Sequence, residues 1–428
     1  MPFKFSSVGQ LFTRPTGALE LMDDLGRAFD GERDVAFLGG GNPAKIPAVQ
    51  ARFARRLTEI AANRSELDRM ISNYAHPAGD LAFRRALAKL LSREHGWRLT
   101  ADNVALTAGS QAAFFLLFNL FAGRDAEGRR RRLLLPMTPE YVGYADVGLE
   151  PGLVAANRPV IEELDAPFFK YRIDFERLAL DDDVGAVCIS RPTNPTGNVV
   201  GDAELAELGA RCAAAGVPLI VDGAYGRPFP DIVFTDAQPS WDEGTILCLS
   251  LSKLGLPGVR TGIVIAHPEI VEALTRMIAV MNLAVGSAGP VLVQPLVESG
   301  EIMALAREHV RPYYREKSLK ACELLVRALD GVPFRVHRPE GAFFLWLALP
   351  GLPVTSAELY ARLKAAGVFV LSGHYFFPGL DEPWAHRDEC IRLSFAEDDA
   401  VVERGIRRLA AEVRAAFDGR RAGVTSRR

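Results

Sequence analysis

A chain of 428 residues with 49% hydrophobic and 24% charged residues is long enough for two or three domains and apolar enough to bury a large core. Its formal net charge of -3 removes the electrostatic case for nucleic acid or an anionic membrane as a partner. The five cysteines (Cys188, Cys212, Cys248, Cys322 and Cys390) lie far apart with no C-x-x-C pair, which favours buried free thiols in a reducing compartment over a disulfide framework.

The opening MPFKFSSVGQ lacks the apolar run and cleavage site of a signal peptide. Apolar stretches such as 112–122 are too short to span a bilayer, so a cytoplasmic protein without a membrane partner is expected. Residues 1–34 read as an arm with a short helix over 18–29. A strand over 35–38 runs into Gly39, Gly40, Gly41, Asn42 and Pro43, a backbone that a ligand can approach closely, although a plain loop explains it equally well. A helix over 48–62 and a polar loop carrying Tyr74 follow. Asp80 then caps a helix with Leu81, Leu87, Leu90 and Leu91 as its apolar positions.

From about residue 103 strands and helices alternate. A strand over 104–107 turns through Ala108, Gly109, Ser110 and Gln111 into an apolar helix ending near Gly123. The arginines at 129–132 read as a solvated loop before a strand over 133–135. Further strands are expected over 186–189, 219–221, 246–249 and 263–265, with a helix over 202–215. Apolar strands alternating with helices indicate an α/β fold with a mostly parallel sheet between helices. A helical pattern over 301–329 is interrupted by Pro312, which should kink it. Strands over 342–347, 368–371 and 391–395, a helix over 356–366 and a final helix complete a smaller α+β part. Residues 419–428 are polar and expected to be disordered. The division expected is an arm and part of the small domain over 1–50, a large domain over 51–300, a connecting helix and small domain over 301–418, and the tail.

Ligands of such sheets sit at the carboxyl ends of the strands, and four strand ends here carry chemistry. After Thr107, the amides of Gly109, Ser110 and Gln111 open a helix, a ready anion site. After Ile189, the loop SRPTNPTG presents the amide of Asn194. After Val221 come Asp222 and Tyr225. After Leu249 come Ser250, Ser252 and Lys253, then Arg260. A buried lysine can lose its proton and become a nucleophile, and two hydroxyls with a guanidinium suit a phosphate dianion. A lysine beside a phosphate cup is what holds pyridoxal phosphate as a Schiff base. Taken singly, each feature is a helix start, a turn, a cap or a surface lysine; their joint occurrence in this order is not.

Gly-Asn-Pro, NPTG, D-x-x-Y and S-x-S-K with its following Arg, in that order, resemble the class I/II aminotransferases of the fold-type I pyridoxal-phosphate enzymes over nearly the whole chain. The runs GGGNP, GSQAAFFLLFNLFAG, PEYVGYAD, SRPTNPTGNV and SLSKLGLPG look most like the branch that exchanges valine with pyruvate. The resemblance implies pyridoxal 5'-phosphate bound by Lys253 as an aldimine, with Lys253 also the proton carrier. It implies Asp222 on the ring nitrogen, Tyr225 and Asn194 on the 3′-oxygen, and Tyr141 stacked on the ring. Gly109, Ser110, Ser250 and Arg260 would hold the phosphate with help from Ser252. Tyr74 would reach the phosphate of a second subunit, so a homodimer is expected. Arg392 would grip the substrate carboxylate together with Gly41, although an arginine in the strand IRLSF could simply face solvent. No metal is implied. Gly223 follows Asp222 where many relatives carry Glu or Asn, which leaves the support of Asp222 open.

Between Arg276 and Arg307 the chain has no Lys or Arg, which favours an uncharged substrate side chain. The expected substrates are an apolar amino acid (valine or alanine) and a 2-oxo acid (pyruvate or 2-oxoisovalerate). Two other uses of the same residues are a carbon–sulfur β-lyase and a non-catalytic pyridoxal-phosphate-binding regulator.

Overall fold

The runs that read as continuous apolar strands are buried on both faces, and their side chains leave no alternative. In VGAVCIS, the strand Val184–Ser190, every residue is buried, as in LIVD (Leu219–Asp222) and TILCLS (Thr245–Ser250). A computed structural model describes residues 3–17, 19, 22–23, 26 and 35–425, with the backbone alone for 420–425.

Among these residues the strands begin with β1 (Ala36–Phe37), β2 (Val104–Thr107), β3 (Gly123–Arg124), β4 (Arg130–Leu135), β5 (Val154–Ala156), β6 (Val160–Glu163), β7 (Phe168–Arg172) and β8 (Val184–Ser190). They continue with β9 (Leu219–Asp222), β10 (Thr245–Ser250), β11 (Gly262–Ile265), β12 (Arg335–His337), β13 (Phe344–Ala348), β14 (Val368–Phe369), β15 (Leu371–Ser372) and β16 (Cys390–Ser394). An eight-stranded sheet has the order β2-β11-β10-β9-β8-β4-β3, with β5 added on β4. Its centre is parallel from β10 to β5, and β11 runs antiparallel between β10 and β2. The helix Ser110–Phe121 packs across β2, β4, β8, β10 and β11. The fold is α/β with a mostly parallel sheet between helices, as expected.

A six-stranded sheet, β15-β16-β13-β12-β7-β6, gathers the C-terminal strands. The N-terminal strand joins this part of the molecule: β1 pairs with β14, and Ser394 N donates to Leu38 O at 2.6 Å. The hairpin β6–β7 enters the same sheet from the middle of the chain, with β7 pairing to β12. Its alternating polar residues hid it: Glu162, Glu163, Lys170 and Arg172 stand in both strands.

Local signals held where their partners are local. Asp80 accepts from Phe83 N at 2.9 Å and starts the helix Leu81–His95. The break expected at Pro312 is a π-helical turn, Ala306–Val310, between the helices Glu301–Leu305 and Arg311–Ala328. Proline in the first turn of the latter donates no N–H, which eases the change of register. The arginine run is not a loop: Arg130–Arg132 lie in β4, with Arg132 Nε donating to Asp183 at 2.7 Å. The helix expected over 18–29 lies largely outside the described residues. The final helix is Asp399–Thr425, longer than the 419 boundary suggested, and 426–428 lie outside the described residues.

Candidate active site

The carboxyl ends of β2, β4, β8, β9 and β10 meet at one place because the pairing puts them level. Ser190 is opposite Asp222, Asp222 is opposite Cys248, Ser250 is opposite Gly262, and Gly262 is opposite Thr107. The polar residues that follow each strand therefore converge.

Lys253, half-buried in a tight turn after β10, donates from Nζ to Gly41 O at 2.6 Å. Its amine is depressed to about 8, first by burial and then by the charges of Arg392 and Arg260, with Asp222 opposing. An amine in that range is a usable nucleophile and base near neutrality. The ring of Tyr225 lies 5.5 Å from Nζ and packs edge-on against Phe343 and Phe344. Asp222 is 8% exposed; its Oδ1 accepts from Ala224 N at 2.9 Å and its Oδ2 from the Tyr144 hydroxyl at 2.7 Å. Burial raises its proton affinity, and the Tyr144 hydrogen bond, the Ala224 amide and the Lys253 charge pull it back.

Arg392 does not face solvent. It is 1% exposed, lies over the ring of Phe344 at 4.2 Å, and donates to Asn194 Oδ1 at 2.7 Å and Gly39 O at 2.5 Å. Its Nε is buried without a partner, so donor capacity remains for an anion. Asn194 spends its oxygen on Arg392, which leaves its amide N–H₂ as its donor. The loop that carries it is pinned by Arg191, which donates to Val200 O and Gln238 O at 2.7 Å each.

The helix Ser110–Phe121 has no side-chain cap at its start. Gly109 stands there with φ 90, and a Cβ on it would lie 2.2 Å from the Arg260 guanidinium, so only glycine lets the two meet. Open amides and a guanidinium at a helix N-terminus make a phosphate-type anion site. Ser250 and Ser252 are buried next to it, with Ser252 N donating to Ser250 Oγ at 3.1 Å. Tyr141 follows β4 and sits edge-on to Tyr144, ring centres 5.4 Å apart.

Gly41, Asn194, Asp222, Tyr225, Lys253 and Arg392 are thus brought together, and Gly109, Ser110, Ser250, Ser252 and Arg260 lie at the neighbouring strand ends, where they could hold an anion. Tyr74 stands apart in the turn after the helix Arg64–Ile71, 87% exposed. Sequence reasoning missed Tyr144, Ser190 as an anchor, and Glu140, which is 0% exposed. A signal existed for Tyr144, which is three residues after Tyr141 and one 3-10 turn away. None existed for Glu140, since a glutamate in a turn after a strand ordinarily faces water.

The class I and II aminotransferase family matches residues 45–409. The chain is 44% identical to a valine–pyruvate aminotransferase of Escherichia coli, over 96% of this chain and 99% of that one. It is 26% identical to a Mycobacterium tuberculosis protein of the same name, over 88% of this chain and 90% of the other. The crystal structure of valine-pyruvate aminotransferase from Salmonella typhimurium superposes with TM-score 0.86 at 42% identity, covering 94% and 99% of the two chains. A putative amino-acid aminotransferase from Psychrobacter arcticum superposes with TM-score 0.94 at 45% identity, covering 97% and 100%.

Proposed function

We propose how the site is used from one premise: this chain belongs to the class I and II aminotransferase family. It moves an amino group between an apolar amino acid, valine or alanine, and a 2-oxo acid, pyruvate or 2-oxoisovalerate. The observation that carries this reading is a depressed lysine amine that feels both the carboxylate of Asp222 and the buried guanidinium of Arg392. The near full-length similarity to a valine–pyruvate aminotransferase supports the substrate pair and does not favour the lyase or the regulator.

Pyridoxal 5'-phosphate fits the residues present: the uncapped helix start beside Arg260, the amine of Lys253 and the carboxylate of Asp222 match its phosphate, aldehyde and ring nitrogen. When bound it supplies an aldehyde carbon that holds an amine covalently and a ring that stores the electron pair released at Cα. Gly109, Ser110, Ser250, Ser252 and Arg260 would hold the phosphate. Asp222 would pair with the ring nitrogen and favour its protonated form. Tyr225 and Asn194 would donate to the cofactor's phenolic oxygen, and Tyr141 would pack against the ring. Arg392, its fork steadied by Asn194, takes the substrate carboxylate with the Gly41 N–H. Lys253 Nζ, neutral above about 8, would be the base that takes the substrate Cα proton and holds it for return on the same face. The same residues run the sequence backwards on the second oxo acid, which gives ping-pong kinetics.

Purified enzyme given pyruvate and a panel of amino acids is expected to use valine among its best donors, with aspartate and glutamate about a hundredfold worse in kcat/KM for want of a cation near the side chain. Thiol and pyruvate release from a cysteine conjugate without any oxo acid would instead mark a lyase.

The exposed Tyr74 belongs, in this reading, to the phosphate site of a second copy in a homodimer. Mixing Tyr74→Phe with Lys253→Ala protein is expected to restore part of the lost activity through hybrid dimers. Activity no greater than the sum of the two parents would remove Tyr74 from a shared site. Among the described residues no helix is long and apolar enough to cross a membrane, and we keep the cytoplasm as its place. The large and small domains divide near residues 50 and 300 in this reading, with the hairpin β6–β7 counted with the smaller one.

A further inference from the structure

We propose that Glu140 is kept as an un-ionised carboxylic acid at the far end of a hydrogen-bond chain, Glu140 to Ser190 to Tyr144 to Asp222, and that it thereby holds Asp222 ionised and aimed. Glu140 is a positioning residue, and its role rests on Asp222 being the ring-nitrogen partner.

The chain of contacts is continuous. Ser190 N donates to Glu140 Oε1 at 2.8 Å, and the Ser190 hydroxyl is in close contact with Glu140 Oε2. Ser190 Oγ lies 3.3 Å from the Tyr144 hydroxyl, which donates to Asp222 Oδ2 at 2.7 Å. The ring of Tyr144 is edge-on to Phe114 and tilted against Phe118, centroids 5.0 and 5.3 Å away, which holds its hydroxyl toward Asp222 and Ser190.

Counting protons decides the state of this chain. Four groups in a row leave three gaps. With both carboxyls ionised, only the two hydroxyl protons are there to fill them, one gap holds two facing lone pairs, and two like charges share a dry pocket. One added proton fills every gap. If it sits on Glu140 Oε2, then Glu140 donates to Ser190, Ser190 to Tyr144 and Tyr144 to Asp222, with every hydroxyl directed at the charge.

The surroundings place the proton on Glu140. The groups that face Glu140 are Tyr141 and Tyr144 from its own turn, Ser190 and Cys188 from β8, and Asp222 from β9. Burial, and then the charge of Asp222, push its carboxyl up to about 8 against the pull of the Ser190 hydrogen bonds. Asp222 is also pushed up by burial, but it has the Lys253 ammonium to favour its charge.

Infrared spectra of the cofactor-free protein at neutral pH are expected to show a buried carboxylic-acid carbonyl band that disappears in Glu140→Gln. Absence of that band in the wild type overturns the proposal. In the protein loaded with pyridoxal phosphate, the second reading is the pH midpoint of the cofactor's visible absorbance change. Glu140→Ala and Tyr144→Phe are expected to move it up by about one unit and lower kcat about tenfold with little change in KM, the size of one lost hydrogen bond to a charge. Glu140→Gln, which can donate to Ser190 and accept from its N–H, is expected to bring the midpoint back toward wild type. A Gln variant shifted as far as the Ala variant refutes a neutral Glu140. Should Glu140→Ala fail to fold, Ser190→Ala breaks the same chain with Glu140 in place. Wild-type protein that binds no pyridoxal phosphate sinks the reading of Asp222, while the infrared band still decides the proton on Glu140.

Discussion

Replacing Lys253 by alanine is expected to lower turnover about ten-thousand-fold, because in the proposed mechanism one amine serves both as the covalent hold and as the proton carrier. The wild-type protein should show the reason in its pH dependence. Below about 8 the amine is an ammonium and cannot attack an aldehyde; above it the amine is neutral. Capture of pyridoxal phosphate by cofactor-free protein is therefore expected to quicken about tenfold per pH unit up to that point and then level off. A rate still climbing toward the 10.5 of an ordinary lysine, followed by stopped-flow absorbance, would place Lys253 in water. The same depression bears on stability with a defined sign. Between about 8 and 10.5 the unfolded chain keeps the proton that the folded chain has lost. The contribution of this residue to the stability of the cofactor-free protein thus rises with pH through that window, and its penalty is complete below it.

Replacing Arg392 by lysine is expected to raise KM for the amino acid and for the oxo acid alike by about a hundredfold, since in the proposed site both present the same carboxylate to one guanidinium fork. Lysine keeps the positive charge but cannot serve Asn194 Oδ1, Gly39 O and an incoming anion at once, as Arg392 is arranged to do. The change should fall mainly on KM, because the contact exists before the chemical step as well as during it. Steady-state kinetics of both half-reactions test this, and a KM altered for only one substrate would move the carboxylate site elsewhere. Arg392 is sandwiched against the rings of Phe344 and Phe376, so lysine also leaves the packing largely filled, and a loss of fold is not expected to confuse the result.

The two residues differ in how far they could be read from the chain alone. Lys253 follows an apolar strand within three residues of two serines, a local pattern. Arg392 lies in a strand whose sequence allows either face. Its orientation is set by β13 and β15 pairing on either side, with Trp346 and Leu371 as its register partners. The hairpin β6–β7 was illegible for a related reason: its strands are polar enough to look like loop, and only the partner strand β12, more than 160 residues away, makes them a sheet. Arg130–Arg132 misled in the same way, because Asp183 and the strands on both sides of β4 turn a charged run into strand.

By itself the sequence determined the α/β alternation, the strand ends that carry Gly109, Asn194, Asp222 and Lys253, and the kind of cofactor those groups suit. These depend on apolar periodicity and on residues within a few positions of one another, and both are properties of the chain in one dimension. Only the tertiary structure decided that Arg392 points inward, that Asn194 steadies it, and that Tyr144, Ser190 and Glu140 stand behind Asp222. Those facts depend on strand register and on which polar side chain is shut away from water, and both are set by partners far along the chain.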